Sequence, residues 1–328
     1  MIKNEKLIDL SDSGLSDEEL FTRVPQDTSA VEKIVAPRYS YWRSVGRVFL
    51  SKKLNVIALV LLAVVLAFTY IYPMFYTYDK FENLMDATAK HLTPSAAIEK
   101  FGFHLRWIFG TGESGQPTFD AIWNGARISI SIAILCTAIN YAVGVVVGAL
   151  WGFAKRVDVV MNEIRNVISV VPGTLVTSVM VLTFSPSFKT LVFAMCITGW
   201  ISIAYSLRTQ VIIIRDREYN VASKCLGSST FRIATRNILP YMISFIVTMV
   251  ATSIPGCIGT EAFLSYIGLG ISENTLGKIV NTAQGALTVP GWEWEFWCPV
   301  LLSAFISIIL FLVGQGLGDA ADPRTHML

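Results

Sequence analysis

The chain has 328 residues, of which 53% are hydrophobic and only 15% charged, where a soluble domain carries about 25% charged residues. That deficit excludes an ordinary soluble globule and points to a protein built into lipid. The net charge of +2 leaves no basic excess for a nucleic-acid footprint, and five cysteines without a CxxC suggest neither a metal site nor a disulfide framework.

Residues 1–36 are polar and rich in Ser, Asp and Glu. They lack the basic and apolar blocks of a cleavable signal peptide and read as a mobile tail. Residues 37–53, PRYSYWRSVGRVFLSKK, place Trp42, Val45 and Phe49 on one helical face and Arg43 and Arg47 on another. That pattern predicts an elbow helix lying in the membrane interface. A basic flank that only sets topology is the alternative.

Six charge-free apolar runs follow, at 54–72, 128–154, 167–184, 191–207, 241–260 and 297–318. The first reaches about 28 Å as a helix, enough for a hydrocarbon core of about 30 Å. Six crossings put both termini on one side. Arg38, Arg43, Arg47, Lys52 and Lys53 precede the first run, and Lys155, Arg156 and Arg165 follow the second. Arg208, Arg215, Arg217, Lys224, Arg232 and Arg236 lie between the fourth and fifth. Residues 259–296 offer only Lys278 against Glu261, Glu273, Glu293 and Glu295. The positive-inside rule therefore puts both termini in the cytoplasm of a multi-pass cell-membrane protein. The expected plan is an extracellular loop 73–126, a five-helix core 127–318 broken by a cytoplasmic loop 216–240, and a tail 319–328. Pro172 and Pro255 are expected to kink their spans.

No Asp, Glu, Lys, Arg or His falls inside these runs. An ion-coupled carrier or a voltage sensor needs such groups at membrane depth. His91, His104 and His326 lie outside the runs and far apart, as surface histidines would. No catalytic constellation, metal cluster or Walker phosphate loop is present in the sequence, so the chain is not expected to be an enzyme or to bind a cofactor. It is either passive, as a channel or scaffold, or moved by a partner that needs a docking surface.

The surface best suited to docking is residues 218–240, EYNVASKCLGSSTFRIATRNILP. Tyr219, Ala222 and Leu226 form one apolar face of a short helix beginning at Glu218, and Ala222 and Ser223 keep it thin. Gly227 breaks the helix at a positive φ. Ser228, Ser229 or Thr230 caps a second helix, in which Phe231, Ala234 and Ile238 face one way and Arg232 and Arg236 face water. Pro240 suits the first turn of the fifth span. A loop lying on lipid headgroups would fit the same pattern.

Here the sequence resembles a known family. An acid, small residues, a glycine and Leu-Pro twelve positions later are similar to the EAA loop of ABC-importer permease subunits. Glu218-Tyr219 with Ala222 resembles the peptide-permease form, with Asn220 where Val is usual and Ser223 for a second Ala. FGTGESGQPTFDAIWNGARISI (109–130) resembles a further family signature, although Gly112 and Gln116-Pro117 replace its charged residues. EAFLSYIGLGI (261–271) and GDAADPRTHM (318–327) also match. The likeness covers nearly all of 40–328 and is greatest to the C-type permeases of oligopeptide importers in Gram-positive bacteria.

The resemblance implies an all-α permease of the MetI-like type I importer fold, with no cofactor of its own. Its implied partners are a homologous second permease, two cytoplasmic ABC ATPases that use ATP and Mg, and an extracellular peptide-binding lipoprotein, besides the bilayer. Glu218, Tyr219, Ala222, Ser223, Leu226, Gly227, Ser228 and Arg232 would form the ATPase-coupling surface. Loop 73–126 and GWEWEFW (291–297) would form the outer vestibule. Asn140, Thr174, Thr177, Ser178, Ser202, Ser206, Thr248, Thr252 and Ser253 are candidates to line a translocation path that tolerates many peptide side chains; each would equally serve helix packing. A dipeptide or nickel-chelate cargo is the alternative within the family, and a stand-alone channel or secondary carrier the alternative outside it.

Overall fold

The computed structural model describes residues 41–322; the expected tail 1–36, the start of the elbow helix and residues 323–328 lie outside the described residues. Among the described residues the only β-type pairing is a single bridge between Thr111 and Pro117. The rest is mainly helix joined by turns and irregular connections, and helices satisfy the backbone of segments that lie in lipid.

Helix α1 (Tyr41–Ser51) is amphipathic. Val45 and Phe49 are buried against Ala320 near the end of the last helix, while Trp42 is 58% exposed. The single face expected for Trp42, Val45 and Phe49 is thus split: two of the three pack on protein. Tyr41 ties the helix down further, its hydroxyl donating to the Ala321 carbonyl at 3.0 Å.

Helix α2 (Lys53–Tyr70) is apolar all round and continues into the short α3 (Tyr72–Phe75). A folded cap follows, containing α4 (Pro94–Phe101) with Thr93 as its N-cap. The cap ends at Pro117 rather than at 126, because α5 (Thr118–Phe153) starts about three turns before the charge-free run. At 36 residues α5 is about 54 Å long and extends well beyond a bilayer core. Its first turns carry Asp120, 2% exposed, which accepts from Tyr72 Oη at 2.5 Å and Arg106 Nε at 2.6 Å. The two Arg106 terminal nitrogens also donate to Glu82 at 2.9 and 2.6 Å. His91, expected at the surface, stacks on Trp292 at 3.6 Å and contacts Glu295 at 2.6 Å. The cap is therefore pinned to the helices below it by charge-assisted bonds.

The third span is a broken one. Residues 155–166, expected as a loop, belong to α6 (Lys155–Ser169), and α7 (Gly173–Thr183) follows at 70° to it. Pro172 is the N-cap of α7, so the break sits where proline cannot donate a backbone bond. Helix α8 (Phe188–Arg215) runs two turns past its apolar core to the segment 216–238. Then come α11 (Leu239–Tyr266), which continues through Pro255, α12 (Leu276–Ala283) and α13 (Glu293–Ala321). Among the described residues five helices or helix runs are long and apolar enough to cross a membrane, and six if the bent α6–α7 pair is counted as one span.

Helices α5 and α8 pack along their shared length. Gly144, Gly148 and Gly152 make this possible: a Cβ at Gly148 would stand 2.6 Å from the Ala204 carbonyl, and one at Gly152 2.6 Å from Val211 Cβ. Small residues every fourth position let backbones approach where lipid supplies no hydrophobic drive. Helix α11 packs on α13 in the same way through Gly314 and Gly318.

Candidate functional site

The segment expected to receive force folds as two short helices after α8. Helix α9 spans Glu218–Cys225, and Glu218 lies in its first turn, where a carboxylate favours the helix dipole. Gly227 ends it at φ +81°. The Gly227 N–H donates to the Lys224 carbonyl at 3.0 Å and the Ser228 N–H to Ser223 at 3.1 Å, a Schellman cap. A Cβ at Gly227 would touch nothing within 4 Å, so the requirement for glycine is conformational. Ser229 caps α10 (Thr230–Ile233), its Oγ accepting from the Arg232 N–H at 3.3 Å.

Tyr219 (48% exposed), Leu226 (87%) and Ala222 all face outward, and Glu218 and Arg232 are exposed beside them. Ser223 is half-buried; its hydroxyl donates to the Tyr219 carbonyl at 2.8 Å. The expectation that Phe231, Ala234 and Ile238 share a packed face is corrected. Phe231 is 78% exposed, and Ile233 and Ile238 are the buried residues. A π-helical turn over Ala234–Ile238 changes the spacing of inward residues from the α-helical three and four to five.

Asn220 is what holds α9 in place, and sequence spacing passes over it. It is 2% exposed; its Nδ2 donates to the Ile214 carbonyl at 2.8 Å, and its Oδ1 accepts from Asn237 Nδ2 at 3.0 Å. A recess of about 420 Å³ lies beside it, with Lys155, Arg215 and Lys224 in its wall.

A second feature is a polar cleft of about 500 Å³ between α5, α7, α8 and α11. It brings together five candidate path residues: Asn140, Thr174, Thr177, Ser202 and Ser253. The others lie elsewhere. Ser178 is buried and donates to the Thr174 carbonyl at 2.7 Å, and Ser206 donates to that of Ser202 at 3.0 Å. Thr248 lines a different cleft, of about 540 Å³, with Arg217 and Asp319. Thr252 lines neither and donates to Thr248. The cleft also contains Thr137, about one turn before Asn140 on α5, Tyr141, one turn after Thr137, and Thr198 and Thr260. The i, i+3, i+4 spacing of 137, 140 and 141 is the signal that would have found the first two.

A model of the binding-protein-dependent transport system inner membrane component family matches residues 144–327. The chain belongs to that family. A model of the N-terminal membrane domain of oligopeptide transport permease C matches residues 40–94 of this permease. The permease is 41% identical to the oligopeptide transport system permease protein AmiD of Streptococcus pneumoniae, over 94% of this chain and 98% of the relative. It is 31% identical to the oligopeptide permease protein OppC of Bacillus subtilis, over 93% and 97%. It is 30% identical to the dipeptide permease protein DppC of the same organism, over 94% and 93%.

In this permease the EAFLSYIGLGI segment is part helix and part turn. Residues 261–266 end α11, and Glu261 is fully buried. Both its oxygens accept from hydroxyls, Ser129 Oγ at 2.6 Å and Ser265 Oγ at 2.7 Å. Thr275 Oγ1 donates to Ser265 Oγ at 3.1 Å, and the Leu276 N–H donates to Ser129 Oγ at 3.2 Å. One carboxyl thus joins α5, α11 and the start of α12.

Proposed function

We propose that this permease is one half of the membrane channel of an ATP-driven oligopeptide importer in a bacterial cell membrane. A homologous second permease forms the other half. Two ABC ATPases dock on the cytoplasmic side and hydrolyse ATP with Mg, and an extracellular peptide-binding lipoprotein delivers cargo. The basic residues around α9 favour the cytoplasm for that end and for both termini. Residues 218–227 act as the coupling helix. ATP-driven closure of the ATPases pulls on it, and the spans rock between inward-facing and outward-facing states. A partner shifts this equilibrium only by as much as it binds the two states differently.

The observation that carries this reading is the exposed apolar face of Tyr219, Ala222 and Leu226 on a helix otherwise fixed by Asn220 and Gly227. The oligopeptide cargo follows from the names of the relatives at 41% and 31% identity. The 30% likeness to a dipeptide permease favours dipeptides as the second reading. The test is uptake by the complete complex in vesicles. Hexapeptide entry that needs ATP and is blocked by vanadate is expected; entry without ATPase subunits contradicts the importer, and entry of dipeptides alone replaces the cargo.

A further inference from the structure

Asn140 is 6% exposed and lines the cleft between α5, α7, α8 and α11, yet its side-chain oxygen is buried with no hydrogen-bond partner. Buried polar atoms are nearly always paired, so an orphan in the wall of a cleft needs a reason. Helix α8 makes room for this amide. A Cβ at Gly199 would stand 2.5 Å from Asn140 Nδ2, so any other residue there would push the carboxamide aside.

Several of the surrounding hydroxyls donate to backbone carbonyls of their own helices. Thr177 donates to the Gly173 carbonyl at 2.9 Å, Ser202 to Gly199 at 3.3 Å and Ser253 to Met249 at 2.7 Å. Asn140 is the one carboxamide in the cleft wall, a group that carries both a donor and an acceptor. No charged side chain lines the cleft among the described residues. A ligand recognised through charge would find no counter-charge here, and losing its hydration would go uncompensated.

We propose that this cleft is a subsite for the backbone of the peptide cargo, with Asn140 as its anchor; the inference rests on the peptide-importer reading and deepens it. A carboxamide complements an extended backbone by accepting from the N–H and donating to the C=O of one residue, which lie on the same edge of the chain. The –CO–NH– unit is also the one group that every peptide shares. An uncharged wall around a single carboxamide reads that backbone and ignores the side chains.

The test is a cycle in the complete importer, reconstituted with its ATPases and binding protein, using hexaalanine and its singly N-methylated analogues. Methylation removes one backbone donor at a time. In the unsubstituted complex, methylation of at least one amide is expected to slow uptake by about fivefold or more, the worth of one hydrogen bond. In Asn140→Ala that penalty is expected to fall below about twofold, while the binding protein's share, common to both complexes, cancels. An Asn140→Ala complex that slows every analogue by one factor, with the penalty intact, overturns the subsite. A second variant guards against misfolding: Asn140→Asp, recovered through its ATPase, is expected to prefer Lys-containing over Glu-containing hexapeptides by about tenfold relative to the unsubstituted complex. An unaltered charge preference overturns the proposal. If the unsubstituted complex imports no peptide at all, the importer reading itself fails and the subsite with it.

Discussion

Asn220 sits on the inward side of α9, bonded to the end of α8 through the Ile214 carbonyl and to the π-turn through Asn237. Valine, usual in the resembling motif, fills similar space but makes neither bond. Asn220→Val leaves α9 joined to the body by backbone alone. The loss is worth about 1–2 kcal/mol of local stability, so amide exchange across Glu218–Cys225 should quicken about tenfold while the rest of the chain is unaffected. Unaltered exchange in α9 would show that backbone bonds suffice. The helix break at Gly227 and a cap within Ser228–Thr230 were legible in the sequence, because glycine and serine act there through local backbone chemistry. The weight carried by Asn220 was not, since its partners lie six and seventeen positions away. The outward turn of Phe231 was hidden too, because period counting assumes an unbroken α-helix and a π-turn follows it.

At the scale of elements, α5 and α8 form the tightest pair, and glycine sets their spacing. A side chain at Gly148 meets the Ala204 carbonyl at 2.6 Å and Leu207 Cβ at 2.9 Å, whereas Gly259 on α11 has nothing within 4 Å. Gly148→Leu should cost about 1–3 kcal/mol or more through overpacking and lower the thermal stability of the purified permease. Gly259→Leu should leave it within about 0.5 kcal/mol. Equal melting behaviour of the two variants would contradict this account of the packing. The number of spans was legible because lipid demands long apolar runs. Their ends were not. The runs were stopped at charged residues, but Asp120 and Glu261 stay inside their helices because partners elsewhere in the chain satisfy them: Arg106 and Tyr72 for the first, and Ser129 for the second. A lone sequence separates a buried, partnered carboxyl from a solvated one only when the partner is near in the chain.

At the scale of the whole molecule, the charge-free cleft and the exposed coupling face divide the work. On the proposed reading the cleft meets cargo without selecting by charge, and α9 meets the ATPase. Arg215 at the end of α8 donates to the Gly152 carbonyl of α5 at 2.5 Å, and Asn220 ties the turn between. Displacement of α9 would therefore pull on α5 and α8, which carry Asn140, Ser202 and the other cleft residues along their length. The central claim is that an ATPase seats on this face. Cys225 is exposed there in the native chain, and Ser223→Cys places a second thiol two residues away. The decisive measurement is thiol-to-amine cross-linking from either cysteine in the assembled, transport-active complex, with and without ATP and vanadate. An adduct between the permease and its ATPase whose yield changes with nucleotide is predicted. No adduct from either position in any nucleotide state would contradict the account.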